Sequence, residues 1–305
     1  MRNRSGLTVA VIVLWALGYP LGALGVSAMS PMLLLFLRFG LSAVVMCGFV
    51  AASGRRLPRG RALAHAAVAG LLTQACQFVG LYLGLYAGVP ASVAALVIAV
   101  NPAATTIAAR IALGEELTRR RVVAATVGLA AVVAACWSAV PHLAHVGAGI
   151  GFTLLGLVGL VAGGLYQQRF CKATDPVTGN AIGLVVATPV TCALTVLLGA
   201  HVYNVPRALV VVTAMVLLSS LVATTLYVRL VATSGAAGAA AVFAVIPAVT
   251  ALFAFFLLGD RPTAGTWVGL ALGAISCLVA AGGHRGERRA GTMRSARSAS
   301  VRSDA

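Results

Sequence analysis

The sequence predicts an all-α membrane protein whose ten transmembrane helices form two inverted five-helix repeats. Three observations carry this expectation. Of 305 residues, 60% are hydrophobic and 9% charged, with a mean hydropathy of +1.01. A soluble domain is roughly 45–50% apolar and about 25% charged, so this chain must rest most of its surface against lipid. Second, the apolar residues fall into ten runs of helix length, and a crossing needs about 20 residues. Third, the chain repeats itself at an offset of 145 positions.

The runs lie at about 7–27, 31–52, 62–86, 90–110, 122–139, 147–168, 178–199, 207–232, 235–258 and 265–283. The first follows Arg2 and Arg4 and ends in a cleavage-like Gly25-Val26-Ser27-Ala28. It is nevertheless long enough to span, and its Tyr-bearing pattern recurs later, so it reads as an uncleaved helix rather than a signal peptide. The second run carries Arg38 and the third carries Gln74, Gln77 and the stripe Gly80, Gly84 and Gly88. Pro102 sits mid-way in the fourth and Pro247 mid-way in the ninth. No strand-length alternation occurs, which excludes a β-barrel. Residues 284–305 are rich in Arg, Ser and Ala without apolar periodicity and read as a disordered basic tail. The six cysteines are scattered and read as small apolar filler.

The charge of +16 is placed, not spread. With the N-terminus inside, the inner segments hold Arg2 and Arg4, Arg55 to Arg61, Arg119 to Arg121, Arg169 and Lys172, and the six arginines of the tail. The outer segments hold Arg207 and Arg261. Basic residues on short loops resist translocation, so both termini are expected in the cytoplasm and the protein in the plasma (inner) membrane. The charge sets orientation and faces anionic lipid. It does not mark a nucleic-acid binder.

In the repeat, Pro31 falls on Pro176, Leu81-Tyr82 on Leu226-Tyr227, Pro102 on Pro247, Thr105 on Thr250, Gly114 on Gly259, Glu115 on Asp260 and Thr118 on Thr263. Five helices per half is odd, so the second half must be inverted. The arginines agree, because Arg119 to Arg121 align with Ala264, Gly265 and Thr266. The expected organisation is a first half over 1–141, a second over 142–283 and the tail. Inverted repeats place substrate sites near the midplane between the halves.

The chain resembles the ten-helix EamA-type permeases of the drug/metabolite transporter superfamily. The resemblance rests on Trp15-Ala-Leu-Gly18-Tyr19, on Arg38 in a Phe-Leu-Arg-Phe run, on Ala91 through Pro102 to Gly114-Glu115-Glu116-Leu117-Thr118, and on a second copy from Ala236 through Pro247 to Thr263. It covers about residues 7–283 and implies fold and superfamily rather than substrate. Arg38 departs from the repeat, since Gly183 aligns with it.

The candidate cavity residues are Trp15, Tyr19, Arg38, Gln74, Gln77, Asn101, Pro102, Tyr166, Ser219, Pro247 and Thr250. Proline removes a backbone donor and disturbs the carbonyl four residues back, here Ile98 and Phe243, and in lipid such carbonyls need a protein or water partner. Gln74 and Gln77, three apart, share a helix face. Mid-span amides avoid lipid. Serine and threonine hydroxyls in spans also serve plain interhelical bonding. Trp15 and Tyr19, four apart, are cavity aromatics or an interfacial belt. Arg38 is a structural anchor, an anion-binding group or a snorkelling side chain. Gly265, Gly269 and Gly273 pack within the bundle or form a homodimer face.

These features point to a secondary transporter of a small organic metabolite or drug-like compound working by alternating access. The resemblance implies export. The rival classes are an intramembrane enzyme and a channel. Diphosphate chemistry would need clustered aspartates, yet the acids are Glu115, Glu116, Asp175, Asp260, Glu287 and Asp304, all at span ends, in loops or in the tail. No His lies deep enough for a Ser–His pair or spaced for a metal, so neither cofactor nor metal is expected. The same placement leaves no titratable carboxylate at mid-span, so an exchanger or facilitator is expected rather than a carboxylate-based proton antiporter.

Overall fold

The computed structural model describes residues 2–113, 119–137, 143–223, 226, 246–275 and 278–279. The expectations for Gly114 to Thr118, Tyr227, Phe243 and the tail fall outside them. The described chain is helical: α1 (Arg2–Ala28), α2 (Pro31–Ala52), α3 (Arg61–Gly70), α4 (Gln77–Tyr86), α5 (Ala91–Ala99), α6 (Asn101–Leu113), α7 (Arg119–Trp137), α8 (Leu143–Phe170), α9 (Pro176–Leu198) and α10 (Val205–Ala214), followed by α11 (Ile246–Leu258) and α12 (Ala264–Ile275).

Among the described residues six stretches are long and apolar enough to cross a membrane: Gly6–Ala28, Pro31–Ala52, Arg61–Tyr86, Gly147–Phe170, Pro176–Leu198 and Val205–Ala223. Their outward faces are apolar. Val44, Val196, Leu197 and Phe256 are 71–78% exposed, an apolar surface suited to lipid tails. The chain is a multi-pass membrane protein.

Local chemistry explains the boundaries. Proline is pre-set for the first helical turn, where its missing N–H costs nothing. Pro31 and Pro176 open α2 and α9, and Pro206 follows the first residue of α10. The Asp175 carboxylate accepts from the Thr178 amide, and the Asn204 side chain from the Arg207 amide, as N-caps. The run expected at 90–110 is two helices. Pro102 cannot donate to the Ile98 carbonyl, and the chain breaks at Val100 between α5 and α6. Pro20 lies inside α1 without ending it. The carbonyl it leaves without a helical donor, Ala16, accepts instead from the Thr250 hydroxyl at 3.2 Å.

Two π-helical segments sit at Leu71–Cys76, joining α3 to α4, and at Met215–Ala223, continuing α10. They fall at the same place when the chain is shifted by 145. The helices α2 and α9, also 145 apart, pack along their length and run antiparallel. At one end the Ser30 amide donates to the His201 carbonyl and the Tyr203 and Asn204 amides to the Ala28 carbonyl. At the other, Arg55 meets Asp175 at 2.7 Å.

Glycine sets the closest helix contacts. On α4, a Cβ at Gly80 would stand 2.5 Å from the Phe152 carbonyl oxygen and 2.6 Å from the Gly156 amide nitrogen of α8. Gly84 abuts Thr153, and Gly159 and Gly163 of α8 abut Cys76 and Thr73. Gly70 and Gly183 meet backbone to backbone between α3 and α9. Gly88 leaves the stripe: its φ of +89° ends the helix and nothing lies near it. On α12, Gly273 lies against Leu96 of α5.

Candidate functional site

A central cavity of about 330 Å³ opens among α1, α2, α4, α5, α8, α9, the 215–223 segment and α11. Its aromatic wall is Trp15, Tyr19, Phe78 and Tyr82. Its polar groups include Arg38, Gln74, Gln77, Asn180, Ser219 and Ser220. Two pairs in the lining are 145 positions apart: Trp15 with Leu160, and Gln74 with Ser219.

Arg38 is the cation of this lining and is 8% exposed. Its Nη1 donates to the Tyr82 hydroxyl at 3.1 Å, and that hydroxyl donates on to the Met215 sulfur at 3.5 Å. The guanidinium carbon lies 4.5 Å from the centre of the Phe78 ring and 5.8 Å from that of Phe39, within cation–π range. Phe78 in turn packs edge-on against both Phe39 and Tyr82. The side chain is therefore held inside the bundle, and the snorkelling alternative is excluded. Among the described residues, Arg38 Nε is buried without a partner.

A second cavity of about 190 Å³ lies between α3, α8 and α9, beside Gln167, Cys171 and Thr174. The two cavities share Thr73, Gln74 and Asn180. At this neck Gln74 Nε2 donates to Asn180 Oδ1 at 3.1 Å. Thr73 turns its hydroxyl to the Ala69 carbonyl, which gives the π-helical turn a local bond.

Of the eleven residues expected at the site, Trp15, Tyr19, Arg38, Gln74, Gln77 and Ser219 line the central cavity. Four others do not. Tyr166 hydrogen-bonds His65 at 2.8 Å and packs on Phe170, forming an aromatic cluster near the α8 terminus. Asn101 accepts from the Thr105 hydroxyl within its own helix. Thr250 serves the Ala16 carbonyl. Pro247 is buried on α11, next to the cavity residue Ile246. Pro102 contributes through the backbone, by ending α5 after the cavity residues Ile98 and Ala99. Sequence reasoning passed over Tyr82, Phe78 and Asn180. Tyr82 carried a signal, since Leu81-Tyr82 is one of the strongest points of the repeat.

Outside the spans, Asp175 and Asp260 show opposite electrostatics. Burial works to raise the Asp175 carboxyl, but bonds from the Thr178 amide and hydroxyl and from Arg55 outweigh it and hold the group below the usual carboxylate range. Burial alone pushes the Asp260 carboxyl up. Among the described residues no three His, Cys, Asp or Glu side chains converge as a metal site would require.

A cavity bounded by many helices, with a few polar groups on apolar walls, is the form of a small-molecule site. Comparison with known proteins agrees in kind. A solved crystal structure covering 92% of this chain and 96% of its own matches with a TM-score of 0.66 at 18% identity, which shows a shared fold. A search of curated proteins returned no match. The EamA-like transporter family matches twice, over residues 5–137 and again over 147–282. The chain belongs to the EamA-like transporter family and is a membrane transporter of the drug/metabolite superfamily.

Proposed function

We propose that the protein is a secondary transporter that exports a small organic metabolite or drug-like compound by alternating access. The observation that carries this reading is the central cavity, lined by residues of both halves: from α1, α2, the 71–76 segment, α4 and α5, and from α8, α9, the 215–223 segment and α11. Ten crossings in two inverted halves, 1–141 and 142–283, fit the double family match, the antiparallel α2 and α9 and the two π-helical segments 145 apart. The arginine distribution supports cytoplasmic termini and an inner-membrane location. Arg55 and Asp175 then lie on the cytoplasmic side, and the Met29–Val202 bridge on the outer side.

On this reading cargo waits in the central cavity. The smaller cavity is its cytoplasmic approach, and the Gln74–Asn180 bond is the neck between them. That bond costs little to break. A neutral hydrogen bond is worth about 0.5–1.5 kcal/mol net, and both amides can turn to water or cargo as α3 and α9 separate. Gly269 is buried and Gly273 is taken up inside the chain. A homodimer would therefore use the outer face of α12, where Trp267 and Val268 are exposed.

The test compares intracellular and medium metabolites in a deletion strain and in strains expressing either the wild type or Ser219→Trp, which fills the cavity. The cargo should accumulate inside deletion cells and appear in the medium on wild-type expression but not with the filled variant. Identical pools in all strains would contradict the proposal.

A further inference from the structure

We infer that the central cavity is built for an organic monoanion, a carboxylate or a singly charged phosphonate on a small apolar or aromatic body, and that Arg38 is its charge partner. This inference rests on the cavity being the cargo site.

A guanidinium keeps its proton at every physiological pH. A buried ion costs several kcal/mol unless it is paired, and Arg38 is 8% exposed in the middle of an apolar bundle. Its partners are a neutral phenol, Tyr82, and the faces of Phe78 and Phe39. None carries charge. The acids among the described residues are Asp175, which pairs with Arg55, and Asp260, in the loop before α12. Neither lines the cavity. The Nε–H of Arg38 is buried with no acceptor among the described residues.

These partners also orient the group. Tyr82 takes one terminal nitrogen and Phe78 covers one face of the plane, so the fork cannot rotate freely. A fixed fork with an unfilled donor suits a planar carboxylate, because parallel N–H···O bonds add both energy and direction. One cation calls for one negative charge, since a dianion would bring an uncompensated charge into the same apolar space. The aromatic wall supplies a surface for the body of the cargo, and Gln77 and Ser220 supply neutral polar contacts. A volume of about 330 Å³ fits a small cargo.

The experiment uses Trp15 as reporter. The full-length chain with Trp137→Phe and Trp267→Phe retains Trp15 alone among its three tryptophans, and it lines the cavity. In phosphatidylcholine nanodiscs the protein is titrated with benzoate, benzamide and benzylamine, three probes of one shape and different charge. Benzoate should change the Trp15 emission saturably and bind about tenfold or more tighter than either analogue, the difference expected of a hydrogen bond to a charged group. Arg38→Gln should abolish that preference while leaving weak benzamide binding as the sign of an intact cavity. If Arg38→Gln does not fold, Arg38→Lys, which keeps the charge and loses the fork, should weaken benzoate alone.

Equal binding of benzamide or benzylamine by the wild type, or an undiminished benzoate preference in the variant that folds, would overturn the inference. A lipid headgroup offers the same anionic chemistry. Adding phosphatidylglycerol should leave benzoate binding unchanged, and competition would assign Arg38 to lipid and overturn a soluble cargo. Exchange of a neutral cargo without benzoate binding would overturn the anion site and leave transport standing. Benzoate binding without exchange of any cargo would do the reverse.

Discussion

Replacing Gly80 with Ala tests the helix contact on which one wall of the cavity depends. A Cβ there would stand 2.5 Å from the Phe152 carbonyl oxygen and 2.6 Å from the Gly156 nitrogen, both backbone atoms that cannot swing aside. Ordinary contact begins at 3.4 Å, so α4 and α8 must part by 3.4 − 2.5, about 0.9 Å. Overpacking of this kind costs about 1–3 kcal/mol. A Gly→Ala change also gains up to about 1 kcal/mol of helix propensity, leaving a net destabilisation of about 0–2 kcal/mol. Gly164, on the same α8, has nothing within 4 Å, so Gly164→Ala collects the gain without the clash. The two variants should differ by about 1–3 kcal/mol, or roughly 1.5–5 °C in Tm for a chain of 305 residues, read by thermal unfolding in detergent. Because α4 also presents Gln77, Phe78 and Tyr82 to the cavity, Gly80→Ala should weaken cargo binding and Gly164→Ala should not. Equal Tm values for the two variants would refute the close approach of α4 and α8.

Other substitutions probe the remaining elements. Pro102→Ala restores an amide that can donate to Ile98 and should straighten the α5–α6 break, lowering transport without removing the protein from the membrane. Pro247→Ala should act likewise, and normal transport in both variants would remove the prolines from the mechanism. Asp175→Asn keeps an N-cap side chain but discards the ion pair with Arg55, whose groups are 37% and 39% exposed, so the loss should be only about 0.2–1 kcal/mol and shrink in high salt. Because the folded carboxyl titrates below its ordinary range, the wild type keeps this contribution at neutral pH and loses it as pH falls through the lowered value. The two proteins should therefore differ at pH 7 and converge in acid. Asn180→Ala opens the neck, and a cysteine placed at Leu184 should then label faster from the cytoplasmic side. With the membrane potential clamped, a pH gradient should not drive uptake of a neutral cargo. Gradient-driven uptake abolished by Asp260→Asn, the carboxyl raised by burial, would show that a loop acid couples transport to protons. Cysteines in 55–61 and 119–121 should resist impermeant thiol reagents applied to intact cells.

The six spans among the described residues were legible because twenty apolar residues in a row have few alternatives to a membrane. Part of the cavity lining was legible for the same reason inverted. Arg38, Gln74, Gln77 and Ser219 are expensive in lipid, so they had to face protein or a cavity. The direction of each remaining side chain was not legible, because it depends on how a helix is rotated about its axis. Thr250 and Asn101 satisfy a neighbouring acceptor or donor instead of the cavity. Tyr166 sits too near its helix end and joins His65. Asn180 was not singled out because it lies near the start of α9, and only the Gly70–Gly183 contact, which brings α9 close to α3, lets it reach Gln74. The π-helical turn over Leu71–Cys76 adds a residue to the helical phase just where these groups are presented, which a simple 3.6-residue periodicity does not reveal. The partner of Thr250 follows from Pro20 in hindsight. A proline inside a membrane helix leaves a carbonyl to be satisfied, and only the fold shows which hydroxyl reaches it.

The central claim is that one cavity between two halves carries cargo alternately to the two faces of the membrane. Counterflow tests it directly. Purified protein is reconstituted into liposomes preloaded with a high concentration of the unlabelled cargo identified by the metabolite comparison, and labelled cargo is added outside. The account predicts transient, saturable accumulation of label above its equilibrium level, abolished by Ser219→Trp. Uptake that rises linearly with concentration and never overshoots would show a pore, and saturable counterflow that persists in Ser219→Trp would place the route outside this cavity.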